Sequence, residues 1–236
     1  MRALLRNTAR RALCERRGNS PNISRIFRMA SPTVPATAGS KSYDEAYFSK
    51  WYKDPRTRVH APDAVRRKVR LVVSVAEYFL RRKVRSVLDI GSGEGRWRAE
   101  LRRLRPEIRY AGVDPSEYVV RRHGKRRNIH LGSFGQLHEL SLGRGYDLVV
   151  CADVLQYVGD APLTRGVRHI ATVLRGVAFL EAYTTGDEME GDLQDWHPRS
   201  GERYRRIFSD AGLVACGLHC YLGRELAENA VEMELA

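Results

Sequence analysis

Three glycines at alternate positions behind a short apolar run leave a chain few ways to fold around them. Val87-Leu88-Asp89-Ile90 leads into Gly91-Ser92-Gly93-Glu94-Gly95, and Arg96-Trp97 follows. The apolar run has the length of a buried strand, and the glycines supply the backbone freedom of a tight strand-to-helix turn. The spacing is not that of a dinucleotide fingerprint: G-x-G-x-x-G asks for glycine where this chain has Arg96. A phosphate-cradling G-x-x-x-x-G-K-[ST] run is absent from the sequence as well. The acid two residues ahead of Gly91 repels a pyrophosphate and suits a cationic ligand.

Around this turn the hydrophobic period switches back and forth. Residues 62–82 carry Val65, Val69, Val72, Val73, Ala76, Phe79 and Leu80 on one helical face, with Arg66, Arg67, Arg70 and Arg81 opposite. Strands are expected at 86–90, 109–114, 128–132, 146–151 and 176–183, and further helices at 95–105, 116–122, 160–174 and 201–211. The strand runs are almost continuously apolar, as when helices cover both faces of a parallel sheet. The chain then departs from alternation. Residues 213–222 and 230–236 are both β-like and have no helix-length insert between them, so they are expected to pair antiparallel. The expected fold is α/β: a doubly wound, Rossmann-like, mostly parallel seven-stranded sheet ending in an antiparallel hairpin.

With 236 residues, 43% of them hydrophobic, the chain can build one cored domain plus a tail. No apolar run reaches the length of a membrane span. The four cysteines, Cys14, Cys151, Cys216 and Cys220, show no C-x-x-C pairing; a reducing, cytoplasmic setting is expected. The net charge of +13 is uneven, because residues 1–28 hold eight arginines against one glutamate. Residues 29–42 are rich in Pro, Ala, Ser and Thr and read as disordered. Three origins fit this arm: a transit peptide, a nucleic-acid-binding arm, or translation from a spurious upstream start with Met29 as the true first residue. The expected organisation is an arm over 1–42 and one domain over 43–236.

Taken together, Asp89-Ile90-Gly91-Ser92-Gly93-Glu94-Gly95 resembles the first motif of the class I S-adenosylmethionine-dependent methyltransferases. Two further stretches carry the resemblance. Asp114, in Ala111-Gly112-Val113-Asp114-Pro115-Ser116, lies 23 residues beyond Gly91, where an acid accepts both ribose hydroxyls. Residues 146–158, YDLVVCADVLQYV, look like the family's fourth-strand motif, after which the chain lines the methyl-transfer cleft. The likeness covers roughly residues 60–236. It implies that S-adenosylmethionine is the cofactor and that Asp89, Gly91, Ser92, Gly93, Gly95, Asp114, Pro115 and Cys151 contribute to its site. After the third strand the family often has an acid for the adenine amine. This chain has Gly132-Ser133-Phe134 instead, where Ser133 can accept a hydrogen bond and Phe134 can pack on the base.

Methyl transfer from a sulfonium is an in-line displacement that asks chiefly for alignment and exclusion of water, so the lack of a catalytic constellation does not argue against an enzyme. Asp153 and Tyr157, after the fourth strand, and Glu181, at the end of the fifth, are the candidates for the acceptor side. Tyr183, His197 and His219 are further ones. The dense aromatics Tyr43, Tyr47, Phe48, Trp51 and Tyr52 suggest a lid over 43–59, with Trp51 or Tyr52 near the methyl group. The loop 184–200 is acidic and favours a cationic or amine acceptor over nucleic acid. No metal is expected: on one strand Cys216 and Cys220 stand roughly 13 Å apart, at ~3.3 Å per residue. The leading function is methylation of a small molecule. An RNA methyltransferase, motivated by arginine-rich 102–109 and 121–127, and a non-catalytic cofactor-binding module are the alternatives. The sequence is silent on oligomeric state.

Overall fold

The computed structural model describes residues 41–57, 62–188 and 192–236; of the arm expected over 1–42, only Lys41 and Ser42 are among them. The aromatic segment forms α1 (Glu45–Phe48), capped by the Asp44 carboxylate on the Tyr47 N–H, and runs on as a wider turn over Ser49–Lys53. α2 spans Pro62–Leu80. Then come β1 (Ser86–Ile90), α3 (Arg96–Leu104) and β2 (Arg109–Asp114). One helical stretch follows, built of α4 (Glu117–Val119), a wider turn and α5 (Lys125–Arg127); it reaches further than the sequence periodicity suggested. β3 (Ile129–Leu131), β4 (Tyr146–Cys151), α6 (Asp160–Val173), β5 (Leu174–Leu180) and α7 (Gly201–Asp210) complete the alternation.

The seven strands order as β3-β2-β1-β4-β5-β7-β6. β1, β2, β3, β4 and β5 are mutually parallel, whereas β7 runs antiparallel to both β5 and β6. The order reverses between β1 and β4, and the carboxyl ends of those strands open the crevice in which such sheets bind ligands.

Period-two alternation splits the core. Val87 of β1, Leu148 and Val150 of β4, and Val177 and Phe179 of β5 pack with Val69, Val72 and Val73 of α2 and Leu101 of α3. Leu88, Ile90, Val149, Cys151, Ala178 and Leu180 face the other way, onto Leu163, Val167 and Ile170 of α6 and Phe208 of α7. A buried polar anchor joins β4 to its neighbours. Asp147 accepts from both Nη atoms of Arg82 at 2.7 and 2.9 Å, from the Arg85 N–H at 2.8 Å and from Arg175 at 2.5 Å. These donors hold its carboxyl well below the usual carboxylate range.

The final hairpin forms, but from other residues than expected. Both of its strands come from the first β-like segment: β6 is Val214–Gly217 and β7 is Cys220–Leu222. The chain reverses at Leu218-His219, where Gly217, Leu218 and His219 have φ of +88°, +52° and +60°, the positive values that a two-residue hairpin turn demands. Residues 230–236 are not a strand. After α8 (Arg224–Ala227) the chain makes one tight helical turn over Glu232–Glu234. The alternation of Val231, Met233 and Leu235 misleads because these side chains find no sheet face, and Met233 is 93% exposed. The reversal also removes the premise of a 13 Å separation, since the Cys216 Sγ lies 3.4 Å from the Cys220 carbonyl oxygen. Among the described residues no group of three or more His, Cys, Asp or Glu is placed to hold a metal, and no helix is long and apolar enough to cross a membrane.

Candidate active site

β1 delivers the glycine turn to the crevice. Gly91, Gly93 and Gly95 sit at φ of +71°, +51° and +79°, a region in which other residues are strained. The Gly91 and Ser92 N–H groups both donate to the Val113 carbonyl, at 2.8 and 3.1 Å. The turn is thus fastened to the end of β2. Space is as restrictive as φ: a Cβ on Gly91 would overlap the Val154 side chain, and one on Gly93 would press the Phe48 ring at 3.3 Å.

Asp114 ends β2 beside this turn. One carboxylate oxygen accepts from the Gly93 N–H at 2.7 Å and the other from the Ser116 N–H at 2.9 Å. Each oxygen keeps a lone pair for a further donor. Asp114 is 5% exposed, and burial pushes its carboxyl up to about 6.

Two cavities meet over the turn, sharing Phe48, Tyr52, Gly91, Gly93 and Asp153. The larger, about 1060 Å³, is also lined by Tyr43, Tyr47, Asp114, Pro115, Ser133, Phe134 and Tyr157. The smaller, about 610 Å³, extends to Lys68, Ser92, Arg96, Trp97, Ala152 and Glu181. The aromatic segment borders both, through Phe48 and Tyr52, and the larger also through Tyr43 and Tyr47. It is tied down by Ser116 Oγ, which donates to the Tyr43 carbonyl, and by Arg96, which donates to the Tyr52 carbonyl and stacks 5.1 Å from the Tyr52 ring centre.

The residues singled out from the sequence fall into three groups. Gly91, Ser92, Gly93, Asp114, Pro115, Ser133, Phe134 and Tyr52 line one or both cavities. Asp89, Gly95, Cys151 and Trp51 line neither. Asp89 faces the α2 side of the sheet, where it accepts the Tyr110 hydroxyl at 2.7 Å, and burial pushes its carboxyl up to about 7. Gly95 is the left-handed residue from which α3 starts. Cys151 is fully buried on the α6 side, its thiol pushed up by burial. The Trp51 ring lies under the Lys50 ammonium at 4.4 Å.

The acceptor-side candidates do not share one cavity. Asp153, at φ +60°, stands where the two meet and accepts from the Gln156 amide at 2.6 Å. Tyr157 lines the larger and donates to the Asp192 carbonyl at 2.8 Å, whereas Glu181 lines the smaller and pairs with Lys68 at 2.6 Å. His219 is in the hairpin turn, edge-on to Phe179, and the His197 N–H donates to the Gln156 carbonyl. Sequence reading passed over Lys68, Arg96 and Trp97. The last two follow the glycine turn directly, in the first turn of α3, and that adjacency was a usable signal. Lys68, three residues after Val65, borders the apolar stripe of α2.

These residues suit an adenosine-bearing sulfonium: a side-chain-free cradle, a buried carboxylate with acceptor capacity for a diol, an aromatic slot and an aromatic wall. Comparison with known proteins agrees. Residues 61–215 match the model of a methyltransferase domain family. The fold is similar to the sugar N-methyltransferase KedS8 from Streptoalloteichus, at 22% identity over 84% of this chain and 98% of that one, with a TM-score of 0.54. It is also similar to DesVI from Streptomyces venezuelae (18% identity, 69% and 90% coverage, TM-score 0.53). An S-adenosylmethionine-dependent methyltransferase from Archaeoglobus fulgidus has the same fold (16% identity, 71% and 73% coverage, TM-score 0.51). No curated protein matches the chain in sequence. With the matched region taking in the glycine turn, Asp114 and the chain as far as the start of β6, the chain belongs to the methyltransferase domain family and is an enzyme that uses S-adenosylmethionine.

Proposed function

We propose that this enzyme methylates a small-molecule acceptor, in a site built from the residues above. The observation that carries the reading is that Phe48 and Tyr52 of the aromatic segment line both cavities where they meet, as a lid would. A lidded cavity admits a compact acceptor and excludes a folded polymer. In this reading Gly91, Ser92 and Gly93 hold the methionine portion of the cofactor, Asp114 accepts the ribose hydroxyls, and Pro115, Ser133 and Phe134 bound the adenine. When bound, the cofactor supplies an electrophilic methyl carbon on a good leaving group. The protein aligns the acceptor and keeps water out, with Tyr52 and Phe48 as the wall and Asp153 at the junction. Asp153, Tyr157 and Glu181 contact the acceptor. The described part of the lid, residues 43–57, belongs functionally to the domain it covers.

One observation favours RNA instead. Arg98, Arg102, Arg126 and Arg127 line a surface groove beside Glu94 and Gly95, and burial, with the neighbouring arginines adding to it, lowers the affinity of Arg98 for its proton. The experiment is a transfer assay with labelled S-adenosylmethionine against a panel of small amines and alcohols and against total RNA, each at low and high salt. Small-molecule turnover that is indifferent to salt supports the proposal. Turnover confined to RNA, falling steeply as salt rises, rejects it.

A further inference from the structure

Three tyrosines that line the larger cavity also surround a cation. The Lys41 ammonium lies 3.9 Å from the ring centre of Tyr157, 5.3 Å from that of Tyr43 and 5.4 Å from that of Tyr47. Asp192 pairs with it at 2.6 Å, and the Gln194 carbonyl accepts from it at 3.3 Å. The lysine side chain is only 4% exposed. Lysine is rarely buried to this degree without partners, and here the partners converge from three separate stretches of chain.

The enclosure does not depend on its occupant. Tyr157 is fastened to the acidic loop by its own hydrogen bond to the Asp192 carbonyl, and the Tyr43 carbonyl is held by Ser116. Tyr43 and Tyr47 pack edge to face, 5.1 Å apart. Lys41 lies ahead of α1, so its departure takes no apolar side chain out of either core. What would be left is a set of ring faces with a carboxylate between them, opening on the cavity that the cofactor shares. Ring faces attract alkylammonium groups through their quadrupoles, and the carboxylate adds full charge attraction while repelling anions. A neutral hydroxyl gains little from either.

We propose that this tyrosine cage is the recognition subsite for an alkylammonium group of the acceptor, and that Lys41 fills it as an internal stand-in until the acceptor displaces it. The inference rests on the small-molecule reading and narrows it to acceptors that carry an amine. It assigns binding alone; the nitrogen held in the cage need not be the one methylated.

The test uses tetramethylammonium as the probe, on full-length protein saturated with S-adenosylhomocysteine so that the cofactor site is filled. In the wild type, acylation of Lys41 by an N-hydroxysuccinimide ester, followed by peptide mass spectrometry, should start low. It should rise as tetramethylammonium chloride is added and stay low with sodium chloride at the same ionic strength. In parallel, calorimetry should show Lys41→Met binding the probe about tenfold more tightly than the wild type, with the gain lost in Lys41→Met/Tyr157→Leu. Lys41 reactivity indifferent to the probe, or equal affinity in the single and double variants, overturns the inference. Binding of S-adenosylhomocysteine to the same samples reports separately on the cofactor site. If it binds and tetramethylammonium does not compete, the cage assignment fails while the cofactor assignment stands.

Discussion

Asp114 and Asp89 show how one residue type, buried in two surroundings, does different work. Asp114 is beside the glycine turn with acceptor capacity to spare, and its free carboxyl titrates at about 6. It must be ionised to accept two hydroxyls. Affinity for S-adenosylmethionine should therefore hold above that pH and fall below it, approaching about tenfold per pH unit. Asp114→Asn should bind weakly and lose the pH dependence. Calorimetry between pH 5 and 8 checks both, and a wild-type affinity that is flat across the range would count against Asp114 as the diol acceptor. Asp89 has its hydrogen bond within the protein, from Tyr110. Its carboxyl is raised from 3.8 to about 7 by burial, so the folded state favours the protonated form. That contribution to stability is complete below 3.8 and is lost as pH rises through about 7. Asp89→Asn lacks this loss. Its stability relative to wild type should improve from pH 5 to pH 8 in urea unfolding, and a constant difference would contradict the assignment.

At the scale of elements, the β6–β7 turn is the place where local preference and tertiary position disagree. Leu218 is 66% exposed and sits at φ +52°. A leucine there gives up about 1 kcal/mol of backbone energy that asparagine largely avoids. Leu218→Asn should stabilise the chain by roughly 0.5–1 kcal/mol, seen as a higher denaturant midpoint at unchanged slope. The reason sequence reading split this hairpin wrongly lies in the same residues. Leu213-Val214-Ala215-Cys216-Gly217-Leu218-His219-Cys220-Tyr221-Leu222 is apolar nearly throughout, and only Gly217 hints at a turn. Length and apolarity cannot tell one long strand from two short ones. The longer strands and α2 posed no such ambiguity, because each has one period and clear turn residues at its ends.

For the whole molecule, the aromatic segment, the glycine turn and Asp114 border one cavity, so ligand binding should be felt globally. A ligand at a hundredfold excess over its Kd stabilises the folded state by about 2.7 kcal/mol. For a domain of this size that is a rise of roughly 5–10 °C in Tm. Scanning calorimetry with S-adenosylhomocysteine should show it, and NAD at the same concentration should leave Tm unchanged. Equal shifts for the two would mean that the glycine turn does not discriminate as its sequence implies.

By itself the sequence determined the α/β class, the parallel sheet and the glycine turn, together with Asp114 as the acid at the end of the next strand. Each of these is written in contiguous residues, as a period, a glycine at a forced backbone angle or an acid at the end of a strand. Only the tertiary structure decided which of the named side chains reach the cavities. Asp89 and Cys151 belong to the same motifs as Gly91 and Asp153, yet strand alternation and packing turn them away. The pairing of Lys68 with Glu181, and the meeting of Tyr157 and Asp192 at Lys41, join residues more than a hundred positions apart. No local pattern encodes such meetings, because they come from the path of the sheet and the burial of its two faces.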